Sequence, residues 1–488
     1  MKVKKFKHLI QYGEYLSDLY PELHVPKDGT NRAETRRMTK TFTFQVTDKC
    51  NLACTYCYQI NKSTRRMSFE TARKAVDALL TGEKNFDAYM SPDDSPGIIL
   101  EFIGGEPFLE VDLIDQIAEY FRLRAIELNH PWKDKYMLSI CSNGVLYRDP
   151  RVQKFLSKYF DCLSFSVTID GTKELHDSCR IFPDGKPSYD VAHDAAMDWM
   201  ARGYKMGSKI TMAPANVQYM FECLKQMVLD GYYEINFNTV FEKGWTTADA
   251  TVIYWQIKQF VDWFFLNVED PSEYSLSYFN MTSACPLTPT YNDNWCGTTS
   301  AMMAMDPDGK LFTCIRFMES SLGKEIPEYS IGHIDTGLFY TEEEKQRIKC
   351  LNCITRRSQS EDKCFDCVIA SGCAWCTGYN YQECGTPDKR VDYSCEVHKA
   401  RALLTFYFKN KAYFEYNVGE PCHLFTPKHW AVPIIGEEEY NYLVGIAEKY
   451  GLLVNRNESE RWQDLDFTLS ELQGNLLGVT TPLKDFAR

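Results

Sequence analysis

The order of apolar and polar positions predicts strands and helices that alternate along the first half of the chain. Short apolar runs recur six times, and segments with apolar residues at helical spacing separate them. Continuous apolar runs are typical of parallel strands that are buried on both faces. The pattern therefore predicts an α/β fold with the strands Thr41–Val46, Ile98–Ile103, Met137–Cys141, Leu163–Ile169, Lys205–Met212 and Tyr233–Val240.

The segments between and after these strands carry helix signals. Ser68 is expected to begin the first helix, and Asp112 is a plausible N-cap for the second. The segment Val252–Val268 is the most apolar long stretch, but polar residues interrupt it. It therefore predicts a helix that packs against the protein, and the sequence offers no membrane span. Beyond it, Met302–Met305 and Lys310–Cys314 are expected to form a hairpin.

Length and composition indicate a large protein of several domains. The chain has 488 residues, of which 44% are hydrophobic, and this length exceeds a single ordinary core. Its cysteines cluster in the second half, so the composition changes along the chain. We expect an N-terminal extension at 1–40, a core barrel at 41–245, a linking helix at 246–280, a cysteine-rich domain at 281–396 and a mixed C-terminal extension at 397–488.

Charge and cysteine content narrow the class of function. The net charge of −13 argues against a nucleic-acid partner, which requires a basic surface to meet phosphates. The first twenty residues contain no continuous apolar segment of the signal-peptide type, so a cytoplasmic location is expected. In a reducing compartment the 19 cysteines indicate metal or redox chemistry rather than disulfides.

Three of these cysteines follow the first predicted strand directly. Cys50, Cys54 and Cys57 have the spacing C-x3-C-x2-C. An iron-sulfur cubane normally takes four thiolates, so a three-cysteine loop leaves one iron open to a ligand that is not protein. Two other interpretations stay open, namely half of a zinc site and three unrelated core cysteines.

Polar motifs end the next three predicted strands. They are Gly104-Gly105-Glu106-Pro107, Ser142-Asn143-Gly144 and Thr168-Ile169-Asp170-Gly171, and His176-Asp177-x-x-Arg180 follows the last one. Chemistry in parallel barrels sits at the carboxyl ends of the strands, which is where these motifs fall. Alone, the first two motifs are ordinary turns, and Arg180 has an equally plausible structural role as a salt-bridge partner.

Taken together, the cysteine loop and these motifs resemble the radical S-adenosylmethionine (SAM) superfamily. The resemblance implies a partial (β/α)6 barrel, with Cys50, Cys54 and Cys57 on a cluster whose open iron is chelated by SAM. It also implies cleavage of SAM to a 5'-deoxyadenosyl radical that abstracts hydrogen, chemistry that belongs to the cofactor. The SAM-binding residues that it implies are Tyr56, Gly104, Gly105, Glu106, Pro107, Asn143, Thr168 and Arg180.

The dense cysteines from Cys285 to Cys395 resemble the SPASM extension of that superfamily. The half C-x12-G-x4-C fits at Cys296 to Cys314, whereas the spacing from Cys373 to Cys376 is one residue short of the usual pattern. The resemblance implies two auxiliary four-iron clusters. Their ligands would be Cys285, Cys296, Cys314 and Cys376 for the first and Cys364, Cys367, Cys373 and Cys395 for the second, with Cys350, Cys353 and Cys384 unplaced.

The expected function is that of a maturase. The resemblance implies oxidative crosslinking of a ribosomally made, cysteine-containing peptide, through a thioether or a carbon link. The implied partners are the precursor peptide and a reductant such as flavodoxin or ferredoxin. Two alternatives use the same scaffold, a formylglycine-type protein maturase and a peptide epimerase. A third alternative is a non-catalytic iron-sulfur or zinc protein.

Overall fold

The structure is a computed structural model that describes residues 39–203, 206–279, 296–299, 301–365 and 367–453. Its residues fall into two compact units, which we describe separately. The first unit comprises the described residues within 1–208, 293–359 and 375–391. The second unit comprises the described residues within 209–292, 360–374 and 392–488. The domain boundaries that the sequence suggests stay predictions.

A mostly parallel sheet forms the centre of the first unit and confirms the α/β class. Four parallel neighbours, each within two residues of its predicted bounds, are β1 (Lys40–Thr47), β2 (Ile98–Gly104), β3 (Tyr136–Ser142) and β4 (Leu163–Val167). Four further strands extend the sheet from the other edge of β1. They are β8 (Met302–Met305), β9 (Lys310–Phe312), β10 (Gly332–His333) and β11 (Gly337–Leu338).

The predicted hairpin is present as β8 and β9, which pair antiparallel. The sequence pattern places this hairpin in the predicted cysteine-rich domain at 281–396. In the structure β8 pairs parallel with β1, from Thr41 opposite Met302 to Phe44 opposite Met305. The hairpin therefore belongs to the same sheet as the strand that leads into the cysteine loop.

Helices cover this sheet. Those of the first unit are α1 (Phe69–Thr81), α2 (Val111–Glu127), α3 (Pro150–Lys158), α4 (Lys173–Cys179), α5 (Tyr189–Ala201), α8 (Glu342–Asn352), α9 (Arg356–Gln359) and α11 (Thr377–Cys384). The Ser68 side chain accepts from the Thr71 N–H, so the predicted cap of α1 is confirmed. The predicted cap of α2 is wrong, because that helix begins at Val111 and Asp112 lies within its first turn.

The core of the first unit is aromatic and lies where the helices meet β1 and β2. Phe42, Phe44 and Phe102 are fully buried, and the rings of Phe44 and Phe102 stack with centroids 5.5 Å apart. Burial of such side chains is the main favourable term in folding. This core fixes the strands whose carboxyl ends carry the cysteine loop.

The second unit has its own sheet and helices. Its three strands are β5 (Gly207–Met212), β6 (Glu234–Thr239) and β7 (Ser275–Leu276), in the order β5-β6-β7. The first two residues of β5, Gly207 and Ser208, are assigned to the first unit. The fifth and sixth predicted strands thus exist, but in the described residues they hydrogen-bond in a sheet of their own. The helices are α6 (Met220–Leu229), α7 (Thr247–Asn267), α10 (Asp362–Phe365), α12 (Cys395–Tyr416), α13 (Lys428–Ile435) and α14 (Glu437–Lys449).

Helix α7 is the predicted apolar helix. Thr246 and Asp249 form a capping box at its start, and its apolar side chains, including Ile257 and Phe260, are buried. Among the described residues, no helix is long and apolar enough to cross a membrane.

Candidate active site

The cysteine loop lies at the carboxyl end of β1, against the turn that follows β2. The Gly105 N–H donates to the Thr47 carbonyl oxygen (3.0 Å), and the Glu106 N–H donates to the Lys49 carbonyl oxygen (2.9 Å). A Cβ on Gly105 would lie 2.3 Å from the Lys49 oxygen, and one on Gly104 would lie 2.8 Å from the Thr47 oxygen. The two glycines are therefore required by the close approach of the loop's own backbone.

The far side of the loop is held by the segment that follows α4. The Ala53 N–H donates to the Ile181 carbonyl oxygen (2.7 Å), and the Thr55 N–H donates to the Cys179 carbonyl oxygen (2.9 Å). Backbone hydrogen bonds thus fix the loop from two sides. The backbone groups in these bonds are satisfied within the protein, so the three thiols are the groups of the loop that can bind a metal.

The surroundings of the loop raise the pKa of two of its thiols. Burial is the main cause that raises the pKa of Cys50 and of Cys54, and the nearby Arg180 guanidinium partly offsets this at Cys54. The Leu52 N–H points at the Cys50 sulfur with N···S 3.4 Å. Thiolate is the form that binds iron, so the positive charge of bound iron would lower the pKa of these thiols.

Glu106 is fully buried and joins the ends of β2 and β3. Its Oε1 accepts from the Phe108 N–H (3.1 Å) and the Ser142 hydroxyl (2.8 Å), and its Oε2 accepts from the Asn143 N–H (2.9 Å). Burial raises the pKa of Glu106. A carboxylate has about four acceptor positions, so one on Oε2 remains for a cation such as an ammonium group. Pro107 follows as the first residue of the short turn Pro107–Glu110.

Asn143 contacts the cysteine loop itself. Its Nδ2 donates to Asn51 Oδ1 (2.7 Å). The Nδ2 of Asn51 is buried and has no hydrogen-bond partner. A buried amide without a partner costs about 1–3 kcal/mol, so a bound polar group at this point is favoured. Sequence reasoning missed Asn51, because it is only a spacer in the cysteine motif.

Arg180 pairs with Asp170. Its Nε donates to Asp170 Oδ2 (2.6 Å), and the Tyr56 hydroxyl donates to the same oxygen. The guanidinium carbon lies 5.3 Å from the Tyr56 ring centroid, and Nη1 lies 3.9 Å from the Cys54 sulfur. The structure thus gives Arg180 the salt-bridge role, while its contact with SAM stays a prediction. Asp170 Oδ1 is buried and has no partner, so it can accept from a ligand.

His176 supports this ion pair. Burial lowers the pKa of His176 to about 4, so the ring is neutral. Its Nδ1 accepts from the Asp170 N–H (3.4 Å), and Nε2 donates to the Ser188 oxygen (3.1 Å). The Ser188 hydroxyl in turn donates to the Arg180 carbonyl oxygen (2.7 Å). The residues of this motif therefore form a hydrogen-bonded frame around Arg180.

Thr168 follows β4 directly. Its hydroxyl lies 3.1 Å from the sulfur of Cys141, an exposed residue of β3 to which the sequence assigned no role. The Thr168 N–H continues the parallel pairing by donating to the Ser142 carbonyl oxygen (2.9 Å). Its contact with SAM stays a prediction.

Three of the four cysteines predicted for the first auxiliary cluster influence one another in the first unit. Burial, then the neighbouring Cys376 and Cys296, raise the pKa of Cys314 to about 12. The Cys376 sulfur accepts the Tyr379 N–H (3.4 Å). The short spacing before Cys376 thus does not separate it from the other two. Cys285, the fourth predicted ligand, lies outside the described residues.

Hydroxyl groups beside these cysteines support a bound group. Thr313 and Thr377, each adjacent in sequence to one of the cysteines, are fully buried, and their Oγ1 atoms have no hydrogen-bond partner. Within the described ranges, no three cysteine, histidine or acidic side chains are arranged to hold a single metal ion. A four-iron cluster instead takes one thiolate at each of its four irons.

The cysteines predicted for the second auxiliary cluster all belong to the second unit. Cys395 is the first residue of α12, and Cys373 lies close enough to raise the pKa of Arg401, although burial lowers that pKa overall. The described cysteines of the first predicted set belong to the first unit. The partition of the cysteines into two sets stays a prediction.

The unplaced cysteines lie in the first unit. Cys350 receives the Gln346 side-chain amide at 3.8 Å and hydrogen-bonds with Tyr329. Cys353 is buried at the end of α8, and Cys384 is the last residue of α11.

Tyr58 links the two cysteine regions of the first unit. Burial raises its pKa, and the nearby Cys57 and Cys314 raise it further. The Arg316 guanidinium carbon lies 5.6 Å from its ring centroid. The cysteine loop and the hairpin cysteine therefore both lie near the Tyr58 phenol.

The chain is similar to a family model and to several proteins of known sequence. A model described as a 4Fe-4S single cluster domain matches residues 39–178. The chain is 30% identical to an uncharacterized protein of Methanocaldococcus jannaschii over 196 residues. This alignment covers 40% of this chain and 60% of that protein. The chain is also 30% identical to the serine-type anaerobic sulfatase-maturating enzyme of Bacteroides thetaiotaomicron over 143 residues. This alignment covers 29% of this chain and 31% of that enzyme.

The fold is similar to that of a solved structure of anSMEcpe with bound AdoMet. The TM-score is 0.56 and the identity 20%, with 75% of this chain and 97% of that chain covered. The similarities confirm the resemblance of the chain to the radical SAM superfamily. Within the superfamily its similarities are to the maturase branch. A second anSMEcpe structure, with bound AdoMet and a Cp18Cys peptide, matches with a TM-score of 0.54, an identity of 18%, and 76% and 97% coverage.

The matches to the curated relatives are partial. They span 60% of the length of the archaeal relative and 31% of the length of the sulfatase-maturating enzyme. The clusters, the SAM binding, the substrate and the product of this chain are therefore proposals.

Gly105→Ala tests the close approach of the loop to β2. The added Cβ overlaps the Lys49 oxygen, so we expect the cysteine loop to shift and to lose most of its iron after reconstitution. Iron analysis and visible absorption measure the loss. Gly445→Ala is the control, since nothing lies within 4 Å of its Cβ. This helical substitution leaves the iron content unchanged and stabilises the protein by about 1 kcal/mol. Full iron content in the Gly105 variant would contradict the close packing.

Proposed function

We propose that this radical SAM protein oxidatively crosslinks a ribosomally synthesised peptide that contains cysteine. The bond formed is a thioether or a carbon link. Three four-iron clusters serve the reaction, one at Cys50, Cys54 and Cys57 and two at the auxiliary cysteine sets. When bound, SAM and the first cluster supply the radical that removes a hydrogen atom from the peptide.

The parallel pairing of β8 with β1 is the observation that carries this proposal, because it brings the hairpin to the same sheet as the cysteine loop. Cys57 of the loop and Cys314 of the hairpin both lie near the Tyr58 phenol. A cluster at each of these two cysteine sets would therefore lie in the first unit, one to bind SAM and one to accept an electron.

An oxidative crosslink needs such an acceptor. Removal of one hydrogen atom from the peptide leaves a radical, and bond formation then releases a second electron and a proton. A cluster held by Cys296, Cys314 and Cys376 would accept this electron, and water would take the proton. The substrate thus loses two hydrogens in total, one of which comes from a cysteine thiol if the product is a thioether.

The structural neighbour that carries a bound peptide supports a peptide substrate. An external reductant such as flavodoxin or ferredoxin supplies the electron that starts each turnover. The polar atoms without partners at Asn51 and Asp170, with the open position on Glu106, form the binding site for SAM. Tyr56, Asn143, Thr168 and Arg180 complete it.

A formylglycine-type maturase is the second candidate, because the sulfatase-maturating enzyme is among the similar proteins. Both candidates oxidise the substrate by two electrons. They differ in the fate of the cysteine, since formylglycine formation introduces an aldehyde. An epimerase on the same scaffold would not change the mass of its substrate.

The iron partition can be tested without a substrate. Changing Cys50, Cys54 and Cys57 together to alanine removes one of three proposed clusters, so the reconstituted variant should keep about two-thirds of the iron. It should also form no 5'-deoxyadenosine from SAM under strong reductant. The matched control is Cys162→Ala, which changes a cysteine outside all three sets. Loss of all iron, or of none, in the triple variant would refute the partition.

The reaction can be tested with a cognate peptide, for which a small cysteine-rich reading frame beside the gene is the first candidate. We expect the product to be about two mass units lighter and to contain fewer thiols that react with an alkylating reagent. Mass spectrometry measures both. An unchanged mass refutes the crosslink and, with one deuterium incorporated in heavy water, indicates epimerisation. An aldehyde in the product indicates the formylglycine reaction instead.

A further inference from the structure

Helix α12 carries a histidine whose ring is buried without a hydrogen-bond partner. His398 is 4% exposed, and neither Nδ1 nor Nε2 has a partner. Among the described residues, it is the one side chain with two buried polar atoms in this condition. Its backbone N–H is satisfied by the Ser394 carbonyl oxygen at 3.0 Å. The deficiency is therefore confined to the imidazole.

This deficiency is costly. A neutral imidazole has one N–H donor and one acceptor nitrogen, and each is expected to find a partner when buried. A buried polar atom without one costs about 1–3 kcal/mol. Burial of the ring among protein atoms alone therefore disfavours folding. A group from outside the polypeptide that bonds to the ring would remove the cost.

The position of His398 indicates what that group is. His398 lies three residues after Cys395 on α12, and residues at this spacing share one face of a helix. On the next turn, Arg401 lies near Cys373 and is affected by its charge. Cys373 and Cys395 are two of the four cysteines proposed for the second auxiliary cluster. This face of α12 therefore borders the cysteines of that set.

We propose that the His398 ring N–H donates a hydrogen bond to a sulfur atom of the second auxiliary cluster and raises its reduction potential. The inference rests on the proposed function, which assigns Cys364, Cys367, Cys373 and Cys395 to that cluster. Four thiolates complete its ligand set, so the imidazole acts as a donor rather than as a ligand. An N–H bond to sulfur stabilises the more negative, reduced cluster more than the oxidised one.

His398→Leu tests the donor. The variant is made in the background that lacks Cys50, Cys54 and Cys57, so that only the auxiliary clusters are titrated by electron paramagnetic resonance. We expect one of the two reduction waves to shift, with the ratio of reduced to oxidised cluster at a fixed potential falling about tenfold, or about 59 mV for one electron. The other wave and the iron content should not change.

Two variants separate a hydrogen bond from a packing effect. His398→Gln keeps a side-chain N–H and should leave the wave close to its original potential. Thr405→Val is the matched control, because Thr405 lies two turns further along α12 and its buried hydroxyl also has no partner. It should move neither wave. In iron-free protein, His398→Leu should be at least as stable as the original, because it removes the unpartnered imidazole.

The outcomes distinguish this inference from the cluster assignment. If the His398→Leu variant has full iron content and neither reduction wave shifts, His398 is not a hydrogen-bond donor to the cluster. The assignment of the four cysteines to that cluster is not affected by this result. Loss of that cluster's iron in His398→Leu overturns it too, since the imidazole would then be a ligand. If Cys364→Ala with Cys367→Ala leaves the iron content unchanged, the proposed cluster itself is absent. His398→Met serves the same titration if the leucine variant does not fold.

Discussion

The backbone hydrogen bonds of the cysteine loop are the constraint on which the rest of the site depends. On one side the turn after β2 donates to the carbonyl oxygens of Thr47 and Lys49, and on the other the loop donates to Cys179 and Ile181. Three thiols can share a cluster only if their backbone is fixed, because a flexible loop would lose conformational entropy on binding. In this protein the hydrogen bonds to the neighbouring backbone fix the loop without a cluster. Gly105 makes it possible, since any larger residue would separate the loop from β2.

A buried ion pair supports the same loop electrostatically. Arg180 is neutralised by Asp170, which also accepts from Tyr56, and His176 fixes the backbone at both ends of the pair. Buried pairs contribute little net stability, but removal of one partner leaves a costly charge. Arg180 also lies near Cys54 and lowers the pKa of that thiol against the effect of burial. The motif therefore holds the loop and favours the thiolate that a cluster requires.

Local patterns in the sequence predict much of this fold. Buried strands appear as apolar runs, and their observed bounds lie within two residues of those predicted for β1 to β4. The hairpin at Met302–Phe312 follows from its turn residues, but its pairing with β1 does not, because distant strands are matched by packing rather than by local signals. The same holds for the separate sheet of the fifth and sixth strands.

The candidate site was predictable where residue type and spacing are specific, and not elsewhere. Three thiols at a fixed spacing require no tertiary information, whereas Asn51 and His398 are ordinary residues until their burial and missing partners are known. The cap of α2 was misassigned because the turn Pro107–Glu110 leads directly into the helix, so its first residue precedes Asp112. Glu106 was identified from its motif, but its three protein partners could come only from the structure.

The central claim is that the cysteine loop binds a cluster with one iron open to SAM. Electron-nuclear double resonance on the reduced protein tests it directly, with SAM labelled by nitrogen-15 in the amino group and oxygen-17 in the carboxylate. The account predicts hyperfine coupling from both labels to the cluster spin, and its loss in the protein without Cys50, Cys54 and Cys57. Bound SAM that shows no coupling from either label would contradict the account.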